Sequence, residues 1–105
     1  MSTWPAFWPN SKPKMTYKLL FTPTYEKAEK RFLKRHPDLR NRYHKTLALL
    51  ETDPFHPSLR LHSLKGRLIG LHAVSINLQY RITLVLEIRE REILLVDIGS
   101  HGEVY

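Results

Sequence analysis

The sequence contains no cysteine. That excludes a disulfide framework, a thiol nucleophile and cysteine-ligated zinc, and it fits a reducing cytoplasm, where the chain is expected to reside. Long apolar runs are also missing. The longest, Leu47-Ala48-Leu49-Leu50 and Ile93-Leu94-Leu95-Val96, fall far short of the roughly 20 residues a membrane helix needs. No membrane partner is therefore expected. Pro5, Pro9 and Pro13 interrupt the N-terminal stretch, so no signal peptide is expected there. There is no G-x-S-x-G motif, which argues against a serine hydrolase. No two histidines stand at H-x-x-x-H spacing and no carboxylate cluster accompanies them, so neither a metal site nor a cofactor is expected. No internal repeat is visible.

What is present is a chain of 105 residues, 42% hydrophobic and 26% charged. Those values describe one soluble globular domain. A domain of this size buries only about two-thirds of its unfolded surface, so a site should sit in a shallow cleft or groove. Lys and Arg number 17 against 10 Asp and Glu, for a net charge of +7. The excess is uneven. Residues 1–14 carry two lysines and no acid, residues 15–52 carry nine basic and four acidic groups, and the rest is neutral. The neutral part holds four of the six histidines. A basic first half favours a polyanion, either a phosphate backbone or an acidic protein. A merely solvated helix surface explains the same charge.

Residues 1–14 have three prolines and no usable period. They are expected to form an irregular arm ahead of a domain at 15–105, and Met15 is an alternative start. Met15 to Phe21 is strand-like. Thr22-Pro23 supplies a hydroxyl cap and a proline for the first turn of a helix. Tyr25, Ala28, Phe32 and Leu33 follow helical spacing, with Lys27, Lys30, Arg31 and Lys34 off the stripe. His36-Pro37-Asp38 breaks the run. A second helix carries Leu39, Tyr43, Leu47 and Leu50 on one stripe, and the two should form an antiparallel hairpin. Asp53-Pro54-Phe55-His56-Pro57 ends the helical half. From Leu59 the pattern turns toward strands, with strands at Leu71–Asn77, Gln79–Ile88 and Ile93–Ile98. The expected fold is α+β, ordered β-α-α-β-β-β, with a helical hairpin on a twisted, mainly antiparallel sheet.

Period two sorts the strand faces. Val74 and Ile76, then Ile82, Leu84 and Leu86, then Leu94, Val96 and Ile98, are expected beneath the helices. Ala73, Ser75, Gln79, Arg81, Thr83 and Asp97 are expected on the opposite face, as solvated surface or the floor of a site. His72 shares parity with the core set and belongs at its margin. His36, His44 and His56 read as turn or surface residues. Arg81 lies mid-strand beside a hairpin, where it offers a rigid fork to phosphate or pairs with a carboxylate across the ladder. An unperturbed histidine titrates near neutrality, so a pair such as His62 and His101 can serve as base and acid in one reaction. Metal-free RNA cleavage needs a base for the 2′-hydroxyl, a cation for the phosphorane and an acid for the leaving 5′-oxygen. His62, His101, Arg81 and Lys65 could supply those functions, with Tyr105 stacking on a base or donating a proton. On pattern alone, most such histidines are surface or capping residues.

Three stretches carry a resemblance: Leu59-Arg60-Leu61-His62-Ser63-Leu64-Lys65-Gly66, Ile76-Asn77-Leu78-Gln79-Tyr80-Arg81-Ile82, and Asp97-Ile98-Gly99-Ser100-His101-Gly102-Glu103-Val104-Tyr105. In their order and spacing after a helical hairpin, Met15 to Tyr105 resembles the RelE/ParE toxin superfamily. The nearest branch is that of the YafQ/YoeB/StbE-like messenger-RNA interferases. The resemblance implies a microbial RNase fold and metal-independent cleavage of messenger RNA, commonly on the ribosome. It implies a cytoplasmic toxin of a type II pair with an acidic antitoxin, as a homodimer or a toxin–antitoxin hetero-oligomer. It assigns catalytic roles to His62, Arg81, His101 and Tyr105, and RNA contacts to Lys65, Ser75 and Gln79. Ser75 departs from the Arg or His of relatives and Gln79 from an acid, which puts the rate of cleavage in question. A ParE-like gyrase inhibitor and a catalytically degenerate corepressor are the alternatives.

Overall fold

The computed structural model describes residues 16–100. The arm at 1–14, Met15, His101 and Tyr105 lie outside the described residues. The chain runs β1 (Lys18–Phe21), α1 (Pro23–Arg35), α2 (Arg40–Thr52), β2 (His62–Ser63), β3 (His72–Ser75), β4 (Tyr80–Glu87) and β5 (Glu92–Ser100). Single 3₁₀ turns at Pro37–Leu39, Pro57–Leu59 and Gly66–Leu68 link the elements. The sheet order is β1-β5-β4-β3-β2. β1 runs parallel to β5, and every other pair is antiparallel. The fold is thus the expected α+β plan of two helices on one sheet. It gains the short strand β2, and Leu59, expected to begin a strand, instead closes a 3₁₀ turn.

Local chemistry explains the boundaries. Thr22 Oγ1 accepts a hydrogen bond from the Tyr25 amide at 3.0 Å, and Pro23 fills the first helical position, where no amide partner is needed. Glu26 sits in that positive first turn, and Lys34 and Arg35 sit in the negative last one. Asn77 Oδ1 accepts from the amides of Gln79 and Tyr80 at 2.9 and 2.8 Å, which fixes the turn between β3 and β4. At the other end of the sheet, the Tyr17 amide donates to the Glu51 carbonyl at 2.8 Å and ties the start of β1 to α2.

The core lies between the helices and one sheet face. Tyr25, Ala28 and Phe32 of α1 and Tyr43 and Leu50 of α2 pack against Val74, Ile76, Ile82, Leu84, Ile93, Leu95 and Ile98. Two expectations need correction here. Thr83 lies opposite Asp97, while the next residue, Leu84, lies opposite Leu95. Val96 is therefore the extra residue of a bulge, and one extra residue exchanges the faces of a strand. Ile93 and Leu95 are buried in the core, whereas Leu94 and Val96 are only half-buried. Secondly, the opposite face is not uniformly polar. Its cross-strand pair Ala73 and Thr83 is 0% and 2% exposed, and Asp97 lines a groove beside Ala28 and Arg31 of α1.

Candidate functional site

His62 belongs to β2, where it lies opposite Ala73. Its placement starts two residues earlier. The 3₁₀ turn Pro57–Leu59 ends at Arg60, whose backbone is left-handed with φ +52°. The Arg60 carbonyl then accepts a hydrogen bond from His62 Nδ1 at 2.9 Å. The other ring nitrogen, Nε2, faces Arg81 Nη1 at 3.5 Å. Arg81 is the second residue of β4, just after the β3–β4 turn and not mid-strand as expected, between Ser75 of β3 and Gly99 of β5. Neither of these direct cross-strand neighbours is a carboxylate. Gly99 has no side chain to crowd it.

His62, Lys65 and Arg81 line one open cleft of about 610 Å³, together with Leu64, Gly66, Arg67 and Leu68. Three of its side chains are permanently or normally cationic, and Leu64 and Leu68 supply an apolar floor. An extended polyanion with flat apolar groups matches that combination. The turn carrying Lys65 and Arg67 is sharp because Gly66 adopts φ +68°, a conformation other residues rarely take. The sequence reading missed Arg67. The signal was available, since Lys65-Gly66-Arg67 places two cations on either side of a turn glycine.

Other expected residues are elsewhere. Ser75 is the cross-strand partner of Arg81 but lines a second groove, about 460 Å³, with Arg42, Lys45 and Thr46 of α2. Gln79 lines a third, about 510 Å³, with Arg31, Arg35, His36, Tyr80 and Ser100. The structure therefore does not bring Ser75 and Gln79 into the His62 cleft. His36 closes α1 through its amide, which donates to the Phe32 carbonyl at 2.8 Å, and its ring packs 4.6 Å from that of Tyr80. His56 caps a 3₁₀ turn by accepting from the Ser58 amide at 3.1 Å. His72 is half-buried at the core margin, as expected, and its Nδ1 has no hydrogen-bond partner among the described residues. Among the described residues no group of three His, Cys, Asp or Glu side chains could hold a metal ion. No helix among them is long and apolar enough to cross a membrane.

No protein-family model matches the sequence, and no curated protein matches it. Solved structures do match the fold. YafQ from E. coli strain BL21(DE3) superposes with a TM-score of 0.71 at 18% identity, covering 85% of this chain and 98% of its own. The E. coli DinJ-YafQ toxin-antitoxin complex gives 0.70 at 21% identity over 86% of this chain and 98% of that one. A YoeB/ParE toxin from Agrobacterium tumefaciens gives 0.62 at 17% identity over 80% and 98%. The chain has the fold of the YafQ-like toxins, as the three sequence stretches led us to expect.

Proposed function

We propose that this chain is the toxin of a type II toxin–antitoxin pair and that it cleaves messenger RNA without a metal, on the ribosome. The observation that carries the reading is the approach of His62 Nε2 to Arg81 Nη1, 3.5 Å apart, on the wall of a cleft also lined by Lys65 and Arg67. His62 takes the proton of a ribose 2′-hydroxyl at Nε2. The freed oxygen attacks the adjacent phosphorus, and the negative charge that gathers on the phosphorane is stabilised by Arg81, with Lys65 holding the neighbouring phosphate. The bond to the 5′-oxygen breaks, and His101 protonates that oxygen as it leaves. The products are a 2′,3′-cyclic phosphate and a free 5′-hydroxyl. Tyr105 stacks on the base next to the cut. An antitoxin partner is in keeping with the toxin-antitoxin complex of DinJ with the similarly folded YafQ, and we take it to be an acidic protein that covers the basic hairpin and blocks the cleft.

Primer extension on a defined messenger RNA in a purified translation system tests this. Wild type, Arg81→Ala and His101→Ala are each added with and without ribosomes. Wild type is expected to cut only with ribosomes, His101→Ala to be slower by about 10²–10⁴-fold and Arg81→Ala by about 10²–10³-fold. Undiminished cutting by both variants overturns the site. No cutting by folded wild type under either condition overturns the nuclease reading in favour of gyrase inhibition or an antitoxin-binding relic.

A further inference from the structure

Arg60 and Arg91 are the non-glycine residues with positive φ among the described residues. Arg91 sits in the turn between β4 and β5, where no cleft residue depends on it. Arg60 is different. The left-handed region is disfavoured for any residue with a Cβ, so an arginine held there needs a reason. Its amide donates back to the Pro57 carbonyl at 3.1 Å, and this closes the 3₁₀ turn. Its carbonyl is swung toward the ring of His62, 2.9 Å from Nδ1.

A carbonyl oxygen only accepts, so Nδ1 must carry the proton. A neutral imidazole has a single N–H, so Nε2 is then left with its lone pair. That lone pair accepts from Arg81 Nη1 at 3.5 Å, a long contact that opens when a ribose 2′-hydroxyl takes its place. An unrestrained histidine favours the opposite tautomer, with the proton on Nε2. In that form Nε2 could accept no proton, and its N–H would point at the N–H of Arg81.

We propose that Arg60 is a positioning residue. Its left-handed backbone directs a carbonyl that locks His62 into the Nδ1–H tautomer and presents Nε2 as the base beside Arg81. The inference rests on the reading of His62 as proton acceptor given above. It makes the conformation at position 60 matter and the arginine side chain incidental to this role.

Two variants separate backbone from side chain. Arg60→Gly loses the guanidinium and adopts positive φ freely. Arg60→Val loses it too, but a β-branched residue resists that conformation. The measurement is a two-bond ¹H–¹⁵N correlation spectrum of the full chain with labelled histidine, taken at a pH where His62 is neutral. Wild type and Arg60→Gly should show His62 protonated on Nδ1, and Arg60→Val should move toward Nε2. Single-turnover cleavage of ribosome-bound messenger RNA should fall at least about 10-fold in Arg60→Val relative to Arg60→Gly, at equal ribosome affinity. A wild-type His62 protonated on Nε2 overturns the proposal, whether or not the chain cuts RNA. Retention of the Nδ1–H form in folded Arg60→Val overturns the role of the left-handed backbone. The expected tautomers with no cleavage by any protein support the positioning and overturn the nuclease reading beneath it.

Discussion

A hydrogen-bonded chain of three side chains, part-buried at its Glu29 end, links α1 to α2. Tyr43 Oη donates to Glu29 Oε2 at 2.7 Å, and the two tyrosine hydroxyls lie 2.8 Å apart. Tyr43 has one proton and spends it on Glu29, so Tyr25 must donate to the Tyr43 oxygen. Burial raises the pKa of both phenols above the ordinary tyrosine value, and the negative charge of Glu29 adds to the rise at each. Both hydroxyls therefore stay protonated, and the order of donors is fixed. The two ends of the chain are not equivalent. Tyr43→Phe strands the Tyr25 hydroxyl in the core and removes the donor to Glu29, which should cost about 1–3 kcal/mol. Tyr25→Phe leaves the Tyr43–Glu29 bond intact and should cost only about 0.5–1.5 kcal/mol. Urea denaturation of the two variants checks this. An equal or larger loss in Tyr25→Phe would show that the donor order is the reverse.

At the scale of elements, α1 was legible because each of its features is local. The cap at Thr22, the proline at position 23 and the stripe of Tyr25, Ala28 and Phe32 all lie within 11 residues and appear as expected. The β3–β4 turn was legible for the same reason, since Asn77 bonds to its own neighbours. β5 was not. A bulge leaves no mark in a run such as Ile93-Leu94-Leu95-Val96, where every residue is apolar and either parity looks like core. The extra residue shows only in the pairing with β4, a long-range fact. The corrected register makes a sharp comparison possible. Leu95→Ala removes a wholly buried side chain and should cost about 2–5 kcal/mol. Leu94→Ala, one residue away and half-buried, should cost roughly 1 kcal/mol. Thermal or urea unfolding decides it, and a larger loss at Leu94 would restore the period-two assignment and remove the bulge.

At the scale of the whole molecule, basic charge occupies two separate places. One is the hairpin surface, with Arg31 and Arg35 on α1 and Arg42 and Lys45 on α2. The other is the cleft lined by Lys65, Arg67 and Arg81. Counting charges along the chain found the first and missed the second, because residues 53–105 are neutral in sum. Three cations gathered from β4 and the turn after β2 become a patch only when the sheet forms. The gathering of His62, Lys65 and Arg81 was anticipated from the motifs, while Ser75 and Gln79, given RNA contacts by the family resemblance, line other grooves. The two basic places should differ in the salt dependence of RNA binding. Each phosphate contact to a single strand contributes a slope of about −0.7 in log K against log salt. A short RNA of about four nucleotides, long enough to fill only the cleft, should therefore give a slope of roughly −2 from its three cations. Lys65→Ala or Arg67→Ala should each reduce that slope by about 0.7, whereas Arg31→Ala with Arg35→Ala should leave it unchanged. With a longer RNA that reaches the hairpin, the α1 substitutions should begin to reduce it too. Fluorescence anisotropy across a salt series reads all of these. If the short RNA responds to the α1 pair and not to Lys65 and Arg67, then the polyanion lies on the hairpin and the cleft is not its seat.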